Sequence, residues 1–283
     1  MNFATFPRRG PLHKLSFAWL MSLGIAWVGS QATAEAESVD SELVILVEVT
    51  NRALNAAEFE QVMDSYASAF TSSQVLDSIQ SGSYGRTAVS LMFYGNATTQ
   101  SVGIPWMMIG SAAEAEQFAA LARGVVRPSG TGGTPSVPAA LAAASLAFGS
   151  ETGGAGNGFE STTQIVEIAA GSVPTGNSTE VTAARDSALA SGVDLINAIG
   201  LGNRDGAIAT YYATNVIGGE AGGVVATSNA APINAGLTAA LTGQLSGGVG
   251  AGAAASISPI PEPSTALALL SGLALLAIRR RQV

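Results

Sequence analysis

Apolar and polar positions along the chain change period repeatedly, and each change predicts an element. Residues 43–47 (Leu43-Val44-Ile45-Leu46-Val47) form an unbroken apolar run of strand length, the pattern of a strand buried on both faces of a parallel sheet. Over residues 56–70 the period lengthens, and Phe59, Val62, Met63, Tyr66 and Phe70 fall on one helical face. Residues 87–94 and 100–106 predict two strands, paired as a hairpin across Gly95-Asn96. Ser111 with Glu114 fits a capping box, opening a helix with Phe118 and Leu121 on its inner face.

After glycine-rich residues 130–133 the alternation resumes. An Ala-rich helix is expected over 135–148, with Thr134 as N-cap and Pro135 in the first turn. A flexible loop follows over 149–158. Strands are expected over 163–168, 193–199 and 223–226, and helices over 179–191, 205–216 and 233–245. Six strands with helices between them predict a doubly wound, Rossmann-like α/β sheet, mostly parallel with one antiparallel edge hairpin. Residues 246–260 are dominated by Gly, Ala and Ser, the composition of a flexible linker.

The two ends read differently from the body. Arg8, Arg9, His13 and Lys14 precede a 14-residue apolar stretch, 15–28, too short for the roughly 20 residues of a spanning helix. Ala32-Thr33-Ala34 gives the small-x-small pattern of a signal-peptidase site, so residues 1–34 are expected to be a signal peptide, cut before Glu35. At the other end, Pro261-Glu262-Pro263 forces an extended lead-in. An apolar run follows, expected as a transmembrane segment over 264–278, and Arg279, Arg280 and Arg281 form a cationic stop. Residues 261–283 thereby resemble the PEP-CTERM sorting tail of Gram-negative bacteria. That resemblance implies handling by signal peptidase and exosortase, transient anchoring in the inner membrane, and a mature form at the cell surface or secreted.

Between residues 35 and 260 there are 19 Asp and Glu against 6 Arg and no Lys, a balance of −13. So acidic a body repels nucleic acid, whose binding depends on neutralising phosphates. The chain has no cysteine, and its single histidine, His13, lies in the expected signal peptide. Disulfides, thiolate sites, serine triads, histidine bases, zinc centres and Schiff-base lysines are therefore excluded from the body.

Several strings in the body resemble the von Willebrand factor A-like domains of a bacterial family of unknown function. They are residues 39–50 with Glu58-Phe59, Gly85-Arg86-Thr87-Ala88-Val89, Pro105-Trp106 with Ile109, Gly132-Gly133-Thr134, and Tyr211-Tyr212 with Val216-Ile217-Gly218-Gly219. The domain is expected over residues 35–245. The resemblance implies a metal-ion-dependent adhesion site at the strand ends, with a first loop Asp-x-Ser-x-Ser, a Thr from a second loop and an Asp from a third. Here Glu48 and Thr50 stand in the first loop and Thr134 in the second. Arg52 replaces the second serine, and Gly171, after Glu167-Ile168-Ala169-Ala170, stands in place of the Asp. A divalent ion beside an arginine at about 4 Å is repelled by roughly 8 kcal/mol at an effective dielectric near 20. The site is thus expected to be degenerate and without a cofactor, with weak Mg2+ or Mn2+ binding, a misaligned loop, or an Arg52–Glu48 ion pair as the other readings.

The expected function is that of an exported, non-catalytic interaction module binding an envelope or matrix protein or polysaccharide. A passive component of the exopolysaccharide or biofilm matrix is the alternative, with a carbohydrate-active enzyme behind it. The carboxylates Glu58 and Glu60 suit glycoside hydrolysis in type, but they read better as the start of a helix, where negative charge favours the dipole.

Overall fold

The computed structural model describes residues 35–50, 53–129, 132–174, 177–201, 206–219, 224–226 and 233–246. The expected signal peptide with Ala32 and Ala34, Arg52, most of the linker, and the tail with Pro261, Glu262, Pro263, Arg279, Arg280, Arg281 and segment 264–278 lie outside the described residues. In chain order the elements are β1 (Glu37–Ser38), β2 (Ser41–Glu48), α1 (Ala56–Phe70), α2 (Ser73–Gln80), β3 (Thr87–Tyr94), β4 (Gln100–Ile109), α3 (Ala112–Gly124) and α4 (Val137–Ala147). A 3-10 turn (Gly149–Thr152) leads to β5 (Phe159–Glu160), β6 (Gln164–Ala170), α5 (Ser178–Ala190), β7 (Leu195–Gly200), α6 (Ala207–Asn215), β8 (Gly218–Gly219), β9 (Val224–Ala226) and α7 (Ile233–Gln244). Among the described residues no helix is long and apolar enough to cross a membrane.

The main sheet runs β4-β3-β2-β6-β7, with β8 and β9 both pairing β7. Only β4 and β8 are antiparallel to their neighbours. With the two-residue β8 set aside, the order is third, second, first, fourth, fifth, sixth in chain sequence, the doubly wound order. The α/β class with an antiparallel edge hairpin is therefore the one expected from the alternation of periods. β2 carries the reason: Leu43, Ile45 and Val47 enter the core layer with α1, α2, α3 and α7, while Val44 and Leu46 enter the layer with α4, α5 and α6. A strand buried on both faces cannot alternate in polarity.

Local chemistry fixes the helix starts. Asn55 and Glu58 close a full capping box on α1, with Glu58 N donating to Asn55 Oδ1 (3.0 Å) and Asn55 N to Glu58 Oε2 (2.7 Å). Glu58 is thereby committed to the cap. Ser111 caps α3, and the Glu114 carboxylate accepts from Gly110 N and Ser111 Oγ rather than from the cap's own amide. α4 begins later than expected. Its N-cap is Ser136, which accepts from Ala139 N at 3.3 Å, so Thr134 lies before the cap and is exposed.

Three other expectations change. Leu121 is 49 % exposed, while Phe118, three residues earlier, is fully buried against Phe70 at a ring-centroid distance of 4.5 Å. The short helix α2, outside the sequence expectations, buries only Val75 and Ile79, a stripe too brief for its period to stand out. β4 extends past Trp106 to Ile109, because a bulge opposite Ser90 absorbs Pro105, which sits exposed on the outer edge where no ladder bond is lost.

Phe118→Ala is expected to lower stability by about 3–5 kcal/mol, and Leu121→Ala by no more than about 0.5. Denaturant melts of both variants measure the contrast, which a shared inner face for the two residues would abolish.

Candidate functional site

The doubly wound order creates a crevice. The chain leaves β2 for α1 on one face of the sheet and leaves β6 for α5 on the other, so the loops after these adjacent strands part at their C-terminal ends. Ligands of open α/β sheets bind at such a point. Glu48, the last residue of β2, and Gly171 and Ser172, just beyond β6, meet there.

Glu48 has no accessible surface. Its Oε1 accepts from the hydroxyls of Thr50 (2.6 Å) and Ser172 (2.6 Å), and its Oε2 from the amides of Gly171 (3.0 Å) and Ser172 (3.1 Å). Burial pushes its pKa up, and these four donors oppose the shift without cancelling it. Beneath lie the hydroxyls of buried Tyr94 and Tyr212, 3.5 Å apart, both raised by burial first and further by the Glu48 charge. Tyr212 is the core member of the expected tyrosine pair, and Tyr211 is half-buried.

The residues present do not fit a divalent cation. Both carboxylate oxygens of Glu48 are taken by hydrogen-bond donors. At the third-loop position, a Cβ on Gly171 would stand 2.5 Å from the Ala53 carbonyl oxygen, so the space an acidic side chain needs is filled by the β2–α1 loop. Among the described residues no group of three His, Cys, Asp or Glu side chains is placed to hold a metal.

Thr134 rides on a segment fastened to the β3–β4 turn, with Ser136 N donating to Gly95 O (2.8 Å) and Asn96 Nδ2 to Gly132 O (3.2 Å). That turn adjoins the crevice through Val49 N, which donates to Tyr94 O at 2.9 Å. A cation does reach the first loop, but from an unexpected direction. Arg127, after α3, donates through Nη2 to the carbonyls of Val49 (3.0 Å) and Thr50 (2.8 Å). Its only sequence signal is a lone arginine in a body with six.

Glu167 is not a loop residue. It lies in mid-β6, fully buried, and accepts from Tyr66 Oη (2.9 Å) and Gln244 Nε2 (2.8 Å). Burial pushes it up to about 7 despite both donors. Trp106 is half-buried on β4, its indole N–H donating to the Ala147 carbonyl at 2.9 Å, which makes it a core-edge residue.

The fold and crevice define a single doubly wound α/β domain built around a closed, buried carboxylate. The chain belongs to the family described as Protein of unknown function (DUF1194), which matches residues 38–245. No curated protein matches it. Among solved structures it is similar to proximal thread matrix protein 1 of the mussel byssus, at 15% identity and a TM-score of 0.47, over 74% of this chain. It spans about half (49%) of that protein. It is also similar to an aerotolerance-related membrane protein from Bacteroides fragilis, at 13% identity and TM-score 0.46, over 72% of this chain and 98% of that one. A third similarity is to the SpRpn10 VWA domain, at 12% identity and TM-score 0.45, over 76% and 99%.

Ser172→Ala and Thr50→Val each leave a buried carboxylate oxygen one donor short, and each is expected to cost about 1–3 kcal/mol in denaturant melts. Glu167 supplies a pH test. Its folded pKa, about 7, lies above its ordinary 4.5, so the folded state holds the proton more tightly. Its contribution is complete below about pH 4.5 and is lost between 4.5 and 7, a fall of about 3 kcal/mol. Glu167→Gln should therefore show a fall in stability smaller by that amount over the same window, read as Tm against pH.

Proposed function

We propose that this chain is an exported, non-catalytic interaction module that binds its partner at the strand-end crevice without a metal ion. The observation that carries the reading is the closure of Glu48. At the point where an open α/β sheet receives ligands, the carboxylate is neutralised from within by two hydroxyls and two amides. What the crevice offers a partner is its rim of exposed polar groups, Thr98 on the β3–β4 turn and Thr134 beside it. A neutral glycan or a protein loop of the envelope or matrix matches that chemistry better than a nucleic acid, given the acidic body. The family resemblance to von Willebrand factor A-like domains points the same way. Export rests on the end segments, 1–34 and 261–283, with signal peptidase, exosortase and the inner membrane as transient partners.

The non-catalytic part has its own support. Glu42, Glu48 and Glu167, the carboxyls with raised pKa, have no accessible surface through which to meet a substrate, and Glu58 is held in the α1 cap.

The test is calorimetry of the full chain, first with Mg2+ and Mn2+ and then with purified exopolysaccharide and solubilised envelope protein. No saturable heat from either metal is expected. A saturable signal from one macromolecular fraction is expected, and it is weakened at least tenfold by Thr134→Arg. Stoichiometric metal binding refutes the metal-free reading, uniform weak binding favours a passive matrix component, and turnover of the polysaccharide refutes the non-catalytic one.

A further inference from the structure

Beside the crevice, a cavity of about 180 Å³ opens between α1 and α3, lined by Phe59, Glu60, Met63, Asp64, Arg123 and Val125. Its floor is apolar and fixed. Phe59 and Met63 are core residues, and the Phe59 ring packs on Phe93 of β3 at a centroid distance of 5.8 Å. Its rim is charged: Glu60 and Asp64 stand one turn apart on α1, both exposed, and Arg123 reaches across from the last turn of α3. The volume suits one long side chain, against the roughly 300–1,000 Å³ of a site that encloses a small molecule.

The charges of the rim are not settled within the chain. Arg123 Nε stands 3.6 Å from Asp64 Oδ1, beyond the length of a tight charge-assisted bond (about 2.7–2.9 Å), and the two side chains are 46% and 65% exposed. Glu60 has neither a hydrogen bond nor an ion pair among the described residues. Two carboxylates four positions apart on a helix repel, so one loose guanidinium leaves the rim a cation short. The surroundings draw that cation from outside, because the body between residues 35 and 260 carries a balance of −13.

We propose that this cavity is a side-chain pocket for a lysine of a protein partner, its four-carbon stem lying on Phe59, Met63 and Val125 and its ammonium bridging Glu60 and Asp64. Lysine suits both halves, since its stem buries along apolar surface while its head stays at a wet, charged rim. Its compact ammonium has three rotatable donors, enough for two carboxylates that approach from different directions. The pocket rests on the crevice reading above and narrows it: of the occupants named there, it selects a protein over a glycan. The two places are close along the chain. Val125 is two residues from Arg127, about 7 Å of chain at most, and Arg127 holds the Val49 and Thr50 carbonyls at the crevice. Val126, 82% exposed, lies between them and offers apolar surface to a partner that covers both.

Methyl NMR of the full chain, labelled at Met and Val, tests the pocket with Nα-acetyl-lysine methylamide as the probe. Saturable shifts are expected at the Met63 and Val125 methyls, with a Kd on the order of millimolar, while Met92, Met107 and Met108 stay in place. Nα-acetyl-norleucine methylamide, which has the stem without the charge, gives no saturable shift. Glu60→Gln weakens lysine binding about fivefold, the factor for one unit charge at about 4 Å in water. Arg123→Gln removes the competing cation and strengthens binding by about as much. Both positions are exposed, so the variants keep the fold. Silence at Met63 and Val125, an equal response to norleucine, or unchanged affinity in Glu60→Gln overturns the proposal. Because the probe reads the pocket alone, its silence leaves the crevice reading standing, and failure of that reading leaves a lysine response in place.

Discussion

Three carboxyls are buried in a body that has almost no cation to give them. Glu42 and Glu48 stand at the two ends of β2 on one face, and Glu167 lies on neighbouring β6 facing the other core layer. The described arginines are spent elsewhere: Arg86, Arg123 and Arg185 in ion pairs with side chains 20–65% exposed, and Arg127 on backbone carbonyls. Neutralisation therefore falls to hydroxyls, amides and a tyrosine. A hydrogen bond to a charged group contributes about 1.5–3 kcal/mol, while desolvating an ion costs several, so two to four such donors leave the sum close to balance. That near-balance is why all three groups are raised, burial outweighing their donors.

At the crevice the same constraint has a steric side. The adhesion-site pattern implied by the sequence places acidic groups around a cation, each loop contributing a ligand. Here the third-loop carboxylate is absent, and the Ala53 carbonyl oxygen stands 2.5 Å from where its Cβ would be. The neighbouring Ser172 turns a hydroxyl and an amide onto Glu48. These changes are mutually dependent: without the close approach allowed by Gly171, the amides could not reach Oε2, and without the donors the inward carboxylate would lie bare in a dry pocket. The crevice is a finished hydrogen-bonded network, which sets it apart from a metal site missing one ligand.

The period of the hydrophobic pattern places the strands of the main sheet except the two-residue β8, and the helices that cover it except α2, because β2, β3 and β6 are buried on both faces and α1 on one. Details that depend on distant chain were not legible. Leu121 shares a helical stripe with Phe118, yet α3 meets α1 on the Phe118 side alone. Thr134-Pro135 has the composition of a helix start, but the tie from Ser136 N to Gly95 O sets the cap two residues on. Glu48 is legible as a strand-end carboxylate, whereas its donors lie more than 120 residues away, apart from Thr50. Arg127 acts through a contact of 77 positions, and no local pattern announces it.

The two ends of β2 are joined by one rigid strand, which raises the question of whether their protons are coupled. Six residues at about 3.3 Å each put Glu42 and Glu48 about 20 Å apart. Two unit charges at that distance interact by about 0.8 kcal/mol at an effective dielectric of 20, roughly half a pKa unit, and salt reduces it further. The electrostatic link is therefore weaker than any one of the hydrogen bonds that close either end. Mechanical coupling is no stronger a route, because β2 is paired along both edges and packed on both faces, and so has no second position to move to. The two ends of β2 are thus independent of each other. The C-terminal end keeps a crevice whose shape is fixed by the four donors on Glu48.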